Sequence, residues 1–148
     1  MVAQNRITIV DSNIVFSALL NPHSNFADAL LKPKSKNKFY STTSLVLEIE
    51  RHKTKIKKIA GYSEEEFQFL YRVITSKIKF FNSNLIPSET LDYANDLCND
   101  IDVDDSEFIA LTEHVHGCLW TGDKKLKKGL LNKRWDRFVT TDELLAVQ

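Results

Sequence analysis

A three-layer α/β/α sandwich around a central parallel sheet is the fold this 148-residue sequence predicts. Short apolar runs at 7–10, 39–42, 78–81 and 118–121 have the length and composition of buried strands. Between them lie segments whose apolar residues recur at helical spacing. The two patterns alternate along the chain, as βα units joined by right-handed crossovers require.

Ile7, Ile9 and Val10 mark the first strand, suited to the centre of a sheet. Residues 13–20 carry Ile14, Val15, Ala18 and Leu19 as a helical stripe that ends before Asn21-Pro22. A short helix over 26–31 is stopped by Pro33, and a strand over 39–42 follows. From Ser44 onward Leu45, Ile49, His52, Ile56 and Ile59 fall on one helix face, with Gly61 as the stop. Ser63 and Glu66 form a capping box for a helix through Phe67, Leu70, Tyr71 and Ile74. After the strand at 78–81, Ser88 is expected to cap a helix carrying Leu91, Ala94, Asn95 and Cys98. Asp104 or Asp105 is expected to cap the next, which runs through Phe108, Leu111, Thr112 and Val115 to Gly117. A strand at 118–121, a short helix at 124–128, a last strand at 138–140 and a terminal turn or helix at 142–146 complete the reading. There is no internal repeat, linker or low-complexity segment, so residues 1–148 are expected to form one domain with a core of its own.

Apolar content of 43% and charged content of 27% place the chain among ordinary globular proteins. No apolar run approaches the roughly 20 residues that span a bilayer, and no secretory leader is read before the first strand. A cytoplasmic protein with no membrane partner is expected. Cys98 and Cys118 show neither the spacing of a zinc site nor that of a redox pair, and are read as incidental thiols. The net charge of zero hides an uneven pattern. Basic residues crowd 32–38, 51–58 and 124–137, while 89–107 holds Asp92, Asp96, Asp100, Asp102, Asp104 and Asp105 without a Lys or Arg. Each such run alone reads as a solvated face. Together they also describe an acidic pocket rimmed by phosphate-binding cations.

Four acidic residues stand where short apolar segments meet polar sequence: Asp11, Glu48, Asp105 and Asp123. Asp11 and Asp123 follow strands, at the edge where parallel sheets build their sites. Helices starting at the same edge would bring Glu48 and Asp105 beside them. Carboxylates gathered in one pocket repel one another, and hard divalent cations relieve that repulsion. Mg²⁺ or Mn²⁺ in such a site suits phosphodiester hydrolysis.

Each residue has a plainer reading. Asp11 can be a helix cap. As the phosphoacceptor of a haloacid-dehalogenase-like enzyme it would want a second Asp at position 13, where this chain has Asn13. The run from Asp100 to Asp104 begins like a calcium loop, but Asp105 and Leu111 occupy the places of its Gly and Glu. Glu48 lies one turn before His52; an exposed Glu beside a partly buried His is an equally good reading of that pair. His114 and His116 are read as surface residues and His23 as a loop residue. Ser12 and Ser17 lack the setting of an activated nucleophile. Four glycines in all leave no phosphate-cradling loop or dinucleotide fingerprint.

The segments Val10-Asp11-Ser12-Asn13-Ile14, Glu48-Ile49, Asp102-Val103-Asp104-Asp105-Ser106-Glu107-Phe108-Ile109-Ala110-Leu111 and Leu119-Trp120-Thr121-Gly122-Asp123-Lys124-Lys125-Leu126 together resemble the PIN-domain nucleases in order and spacing. The resemblance covers nearly the whole chain. It implies a parallel sheet between helices and divalent-metal-dependent hydrolysis of RNA, with water leaving a 5′-phosphate and a 3′-hydroxyl. Many small bacterial members are toxins of VapC-type toxin–antitoxin pairs, so an antitoxin is an implied partner. A homodimer or higher oligomer is also expected. Carried over residue by residue, the family's acidic positions fall on Asp11, Glu48, Asp105 and Asp123, with Asp102 and Asp104 open as alternatives to Asp105. Asn13 and Thr121 would support the ligands. Lys124, Lys125, Lys127 and Lys128, with Arg51, Lys53 and Lys55, are candidates for holding the RNA backbone. Two rivals stand beside this reading: a catalytically inactive RNA- or protein-binding module of the same fold, and an unrelated phosphohydrolase of small molecules. The full acidic quartet speaks against the inactive module.

Overall fold

The computed structural model describes residues 7–32 and 37–146. The stop expected at Pro33, and the basic residues Lys34 and Lys36, lie outside them.

The β-branched run Ile-Thr-Ile-Val packs well on a pleated surface covered on both faces. It forms β1 (Ile7–Val10), which pairs in parallel with β2 (Lys38–Thr42) on one side and β4 (Cys118–Trp120) on the other. β3 (Ile78–Phe81) pairs in parallel with β2, so the sheet order is β3-β2-β1-β4. Opposing Ile9 to Tyr40 and Val10 to Trp120 brings the carboxyl ends of the strands to one edge.

Alternation along the strands then builds a core on each face. Val10 and Trp120 pack with α1 (Ser12–Leu20), α2 (Asn25–Leu31), α3 (Ser44–Ala60), α4 (Glu64–Thr75) and α8 (Thr141–Ala146). Ile9 and Leu119 pack with α5 (Ser88–Cys98), α6 (Ser106–Val115) and α7 (Lys124–Asn132). The result is the expected three-layer α/β/α sandwich with a four-stranded parallel sheet. No helix among the described residues is long and apolar enough to cross a membrane.

Local sequence sets several boundaries. Ser63 Oγ accepts from the Glu66 amide at 3.1 Å and Glu66 Oε1 accepts from the Ser63 amide at 2.8 Å, the reciprocal box that opens α4. Gly61 closes α3 in the left-handed conformation, φ 73°, at little cost because it has no Cβ. Leu45, Ile49 and Ile56 are buried along the inner face of α3 and fix its rotation. Truncating a buried Ile or Leu of this kind typically costs about 2–5 kcal/mol.

Other expectations need correction. Pro87 takes the cap position of α5, and Ser88 is its first helical residue with no side-chain cap. Neither Asp104 nor Asp105 caps α6 through its side chain; Asp102 accepts from the Asp104 amide at 3.1 Å and opens a 3₁₀ turn, Val103–Asp105, that leads into the helix. That turn absorbs the acidic run and leaves the Asp105 carboxylate uncommitted to capping. α6, expected to run to Gly117, ends at Val115, with His116 in the left-handed conformation, φ 56°, as its cap. Gly117 is demanded by close approach, since a Cβ there would lie 2.8 Å from the Ile7 carbonyl oxygen. The strand expected at 138–140 reduces to a single bridge, Phe138 with Leu119, held by the Leu119 amide to the Arg137 carbonyl at 2.7 Å and the Val139 amide to the Leu119 carbonyl at 3.0 Å. His114 is half-buried with its ring against Phe81, centroids 5.5 Å apart, and is not a plain surface residue.

Candidate metal centre

Asp11 is where β1 ends and α1 begins, and its amide still extends the sheet by donating to the Trp120 carbonyl at 3.1 Å. The side chain is 1% exposed. Oδ1 accepts from the Ser12 amide at 2.7 Å, while Oδ2 accepts from the Thr121 hydroxyl at 2.6 Å and the Asn13 amide group at 3.2 Å. Asn13 in turn donates to Thr121 Oγ1 at 3.2 Å, and its Oδ1 accepts from the Gly122 amide at 2.9 Å. Asn13 and Thr121 thus lock the turn after β4 to the end of β1 around one carboxylate.

The same turn places Asp123. Its amide donates to Thr121 Oγ1 at 3.0 Å, and its Oδ1 caps α7 by accepting from the Leu126 amide at 3.1 Å. Oδ2 has no partner among the hydrogen bonds of the described residues. Glu48 projects from the second turn of α3, and Asp105 from the start of α6. All four carboxylates line one cavity of about 490 Å³ at the carboxyl edge of the sheet, together with Asp102, Asp104 and Glu107.

Electrostatics tie these groups together. Burial pushes the Asp11 carboxyl up to about 6, with the charges of Glu48 and Asp123 adding to the rise and the Thr121 and Ser12 hydrogen bonds opposing it. Asp105 is pushed up to about 8, first by burial and then by Asp11, Asp102, Asp123 and Glu48. Removing protons from both leaves a pocket of uncompensated negative charge, which calls for a cation. Among the described residues no three Asp, Glu, His or Cys side chains are already drawn together as a metal cage. The acids surround a cavity instead of closing on a point.

Sequence reasoning missed several residues of this cavity. Glu107 accepts from the Ser44 hydroxyl at 2.7 Å, so it joins the start of α6 to the start of α3. Ser44 precedes Glu48 by four residues, and that helical spacing is the one signal that could have found it. Phe16 and Leu47 supply apolar wall. The Glu48–His52 pair reverses the plainer reading: Glu48 is half-buried while His52 is exposed at the cavity, with Phe16 edge-on at 5.4 Å between centroids.

The candidate RNA-binding cations divide. Arg51 lines the acidic cavity. Lys53 does not; its ammonium binds Glu64 at 2.7 Å and lies 5.6 Å from the centre of the Phe67 ring. Lys124, Lys127 and Lys128 line a separate hollow of about 290 Å³ with Leu131 and Asn132. Lys125 is exposed on the same helix.

A parallel sheet sandwiched by helices, with carboxylates from separate segments at its carboxyl edge, defines an α/β protein whose site lies at strand ends. Residues 9–143 match the PIN domain family, and the chain belongs to it. Among solved structures it is similar to the crystal structure of VapBC2 from Rickettsia felis bound to a DNA fragment from their promoter, with a TM-score of 0.61 over 90% of this chain and 96% of that one. The two share 15% of their residues, so the likeness is one of fold. No curated protein matches the chain.

Proposed function

We propose that the protein, as one domain over residues 1–148, is a Mg²⁺- or Mn²⁺-dependent endoribonuclease. The observation that carries the reading is the meeting of Asp11, Glu48, Asp105 and Asp123 in one cavity. Membership of the PIN domain family supports it. The donor set is all oxygen, which fits a hard divalent cation, and burial first, then the charges of the neighbouring carboxylates, raises the buried Asp11 and the half-buried Asp105, a cost that a bound cation would offset. These four residues would hold the metal. When bound, it supplies a water of lowered pKa and countercharge for the scissile phosphate.

The chain's own residues do the positioning. Thr121, Asn13 and the Ser12 amide hold both oxygens of Asp11 in a fixed orientation, so little reorganisation is needed on ion binding. Arg51, on the cavity wall and without an ion pair among the described residues, binds a phosphate oxygen of the substrate. The Lys124–Lys128 face of α7 extends the path for the backbone. The likeness to a VapBC2 complex supports a second part of the proposal, that the protein is the toxin of a toxin–antitoxin pair; a cytoplasmic location and self-association are proposed with it.

Incubating purified protein with RNA in Mn²⁺, with EDTA added to half the samples, tests the central reading. Cleavage abolished by EDTA and by Asp11→Asn is expected. RNA binding without cleavage under every metal condition would assign the protein to the inactive-module class.

A further inference from the structure

A second hollow of about 230 Å³ opens between α1 and α3, walled by Phe16, Leu20, His52, Lys55, Ile56 and Ile59. It shares Phe16 and His52 with the acidic cavity, so the two hollows adjoin across that aromatic pair. Its walls are apolar apart from the His52 ring and the Lys55 ammonium. The outer part of α3 sorts its cations by face. Lys53 and Lys57 are both tied to Glu64, at 2.7 and 2.8 Å, and hold that carboxyl down to about 2. Arg51 and Lys55 form no ion pair among the described residues and stand one turn apart, about 6 Å along the axis, on the side of the two hollows. Running outward, this face offers a carboxylate, a cation, an aromatic ring, a cation and an apolar wall.

That order suits a single polynucleotide strand, whose phosphates need cations while its unpaired bases need flat or apolar surfaces. We propose that the hollow is a nucleobase subsite. A base next to the scissile phosphate enters it and stacks on the exposed His52 ring, with Phe16 behind, while Arg51 and Lys55 hold the flanking phosphates. The proposal rests on the ribonuclease reading and adds a demand for unpaired, base-bearing substrate beside the cut.

The test is a two-way comparison on a labelled single-stranded RNA whose cut position in Mn²⁺ has been mapped. Single abasic positions are introduced on either side of the cut, and each RNA is assayed with wild type and with His52→Ala. The exposed ring makes that substitution safe for the fold. Removing the base at one position next to the cut should raise KM in wild type by roughly tenfold, within the range known for stacking on an aromatic side chain. His52→Ala should raise KM on intact RNA similarly and leave kcat nearly unchanged. The two changes together should cost no more than either alone, because they remove the same stacking interaction from its two sides. Lys55→Glu should weaken binding and make it less dependent on salt, the slope falling by about one. Independent, multiplying effects, or indifference to base removal at every position, overturn the subsite while leaving the nuclease reading intact. Loss of His52 without effect on RNA, together with protection of the α1–α3 groove from amide exchange by a protein partner, would assign the hollow to a polypeptide segment. Absence of cleavage by wild type would remove the nuclease reading and the subsite with it.

Discussion

Replacing Asp11 by Asn should reshape the dependence of stability on pH in a way that reveals the cost of burying this carboxylate. Asp11 is 1% exposed, and its carboxyl moves from an ordinary 3.8 to about 6 in the fold. Below about pH 4 it is protonated both folded and unfolded and carries no penalty. Above about pH 6 it is ionised in both states, and the folded state bears the full difference, about 3 kcal/mol at 1.36 kcal/mol per tenfold change. Wild-type stability without metal therefore falls across that window as pH rises. Asn carries no charge, but it offers one acceptor where Asp11 has two, and the Thr121 or Ser12 donor loses its partner at a cost of roughly 1 kcal/mol. At pH 8 the variant should be more stable by about 2 kcal/mol, and at pH 4 less stable by about 1 kcal/mol. The wild-type and variant curves must cross. Urea titrations in EDTA at several pH values measure this, and the melting temperature at pH 8 should rise by roughly 4–8 °C. Excess Mn²⁺ should reverse the order, adding about 2.7 kcal/mol to wild type at a hundred times Kd and much less to the variant. Parallel curves, or a variant weaker at both extremes, would refute the argument that Asp11 is a strained anion awaiting a cation.

Asp105→Asn should reduce cleavage at least tenfold more than Asp102→Asn or Asp104→Asn in parallel assays, because Asp105 is the half-buried member of the three and its pKa is raised to about 8 by burial and the charges around it. Thr121→Val removes the strongest hydrogen bond favouring the Asp11 anion, so the Asp11 carboxyl should rise further and the pH at which activity appears should move upward, with Thr121→Ser restoring it. Replacing Lys124 and Lys127 by Ala should weaken RNA binding at all sequences and lower the salt slope by about one for each phosphate no longer held, leaving Mn²⁺ affinity unchanged. Binding isotherms at several salt concentrations decide that case; an unchanged slope places the backbone path along Arg51 and Lys55 alone.

The elements legible in the sequence are those decided within a few residues. The Ser63–Glu66 box, the Gly61 stop and the β-branched run at β1 each carry their own signal, and each forms where expected. The carboxylates at strand ends are legible for a related reason: Asp11 and Asp123 sit at turns that the strand pattern itself locates. What escapes is decided across the chain. Ser44 meets Glu107 over 63 residues of sequence, and Lys53 is diverted from the cavity by a Glu64 that opens the next helix. The edge at 138–140 has strand composition, but Leu119 offers it a single bridge. His116 adopts the left-handed conformation after α6 and Gly117 lies against the Ile7 carbonyl, a close approach across more than a hundred residues that no local pattern announces.

The link between Thr121 and Asp11 spans 110 residues, and β4 joins β1 across nearly the same interval. Pairings of such long separation close late in folding. During synthesis at ~5–20 residues per second, Asp11 emerges roughly 5–20 s before the hydroxyl that orients it. Throughout that time the nascent chain has neither Asp123 nor the turn that locks the buried carboxylate. A fragment ending anywhere before Thr121 therefore holds an incomplete set of acids. The cavity gains its full set of carboxylates only after Asp123 has been made, so the arrangement that holds the buried Asp11 is a product of the last quarter of the chain.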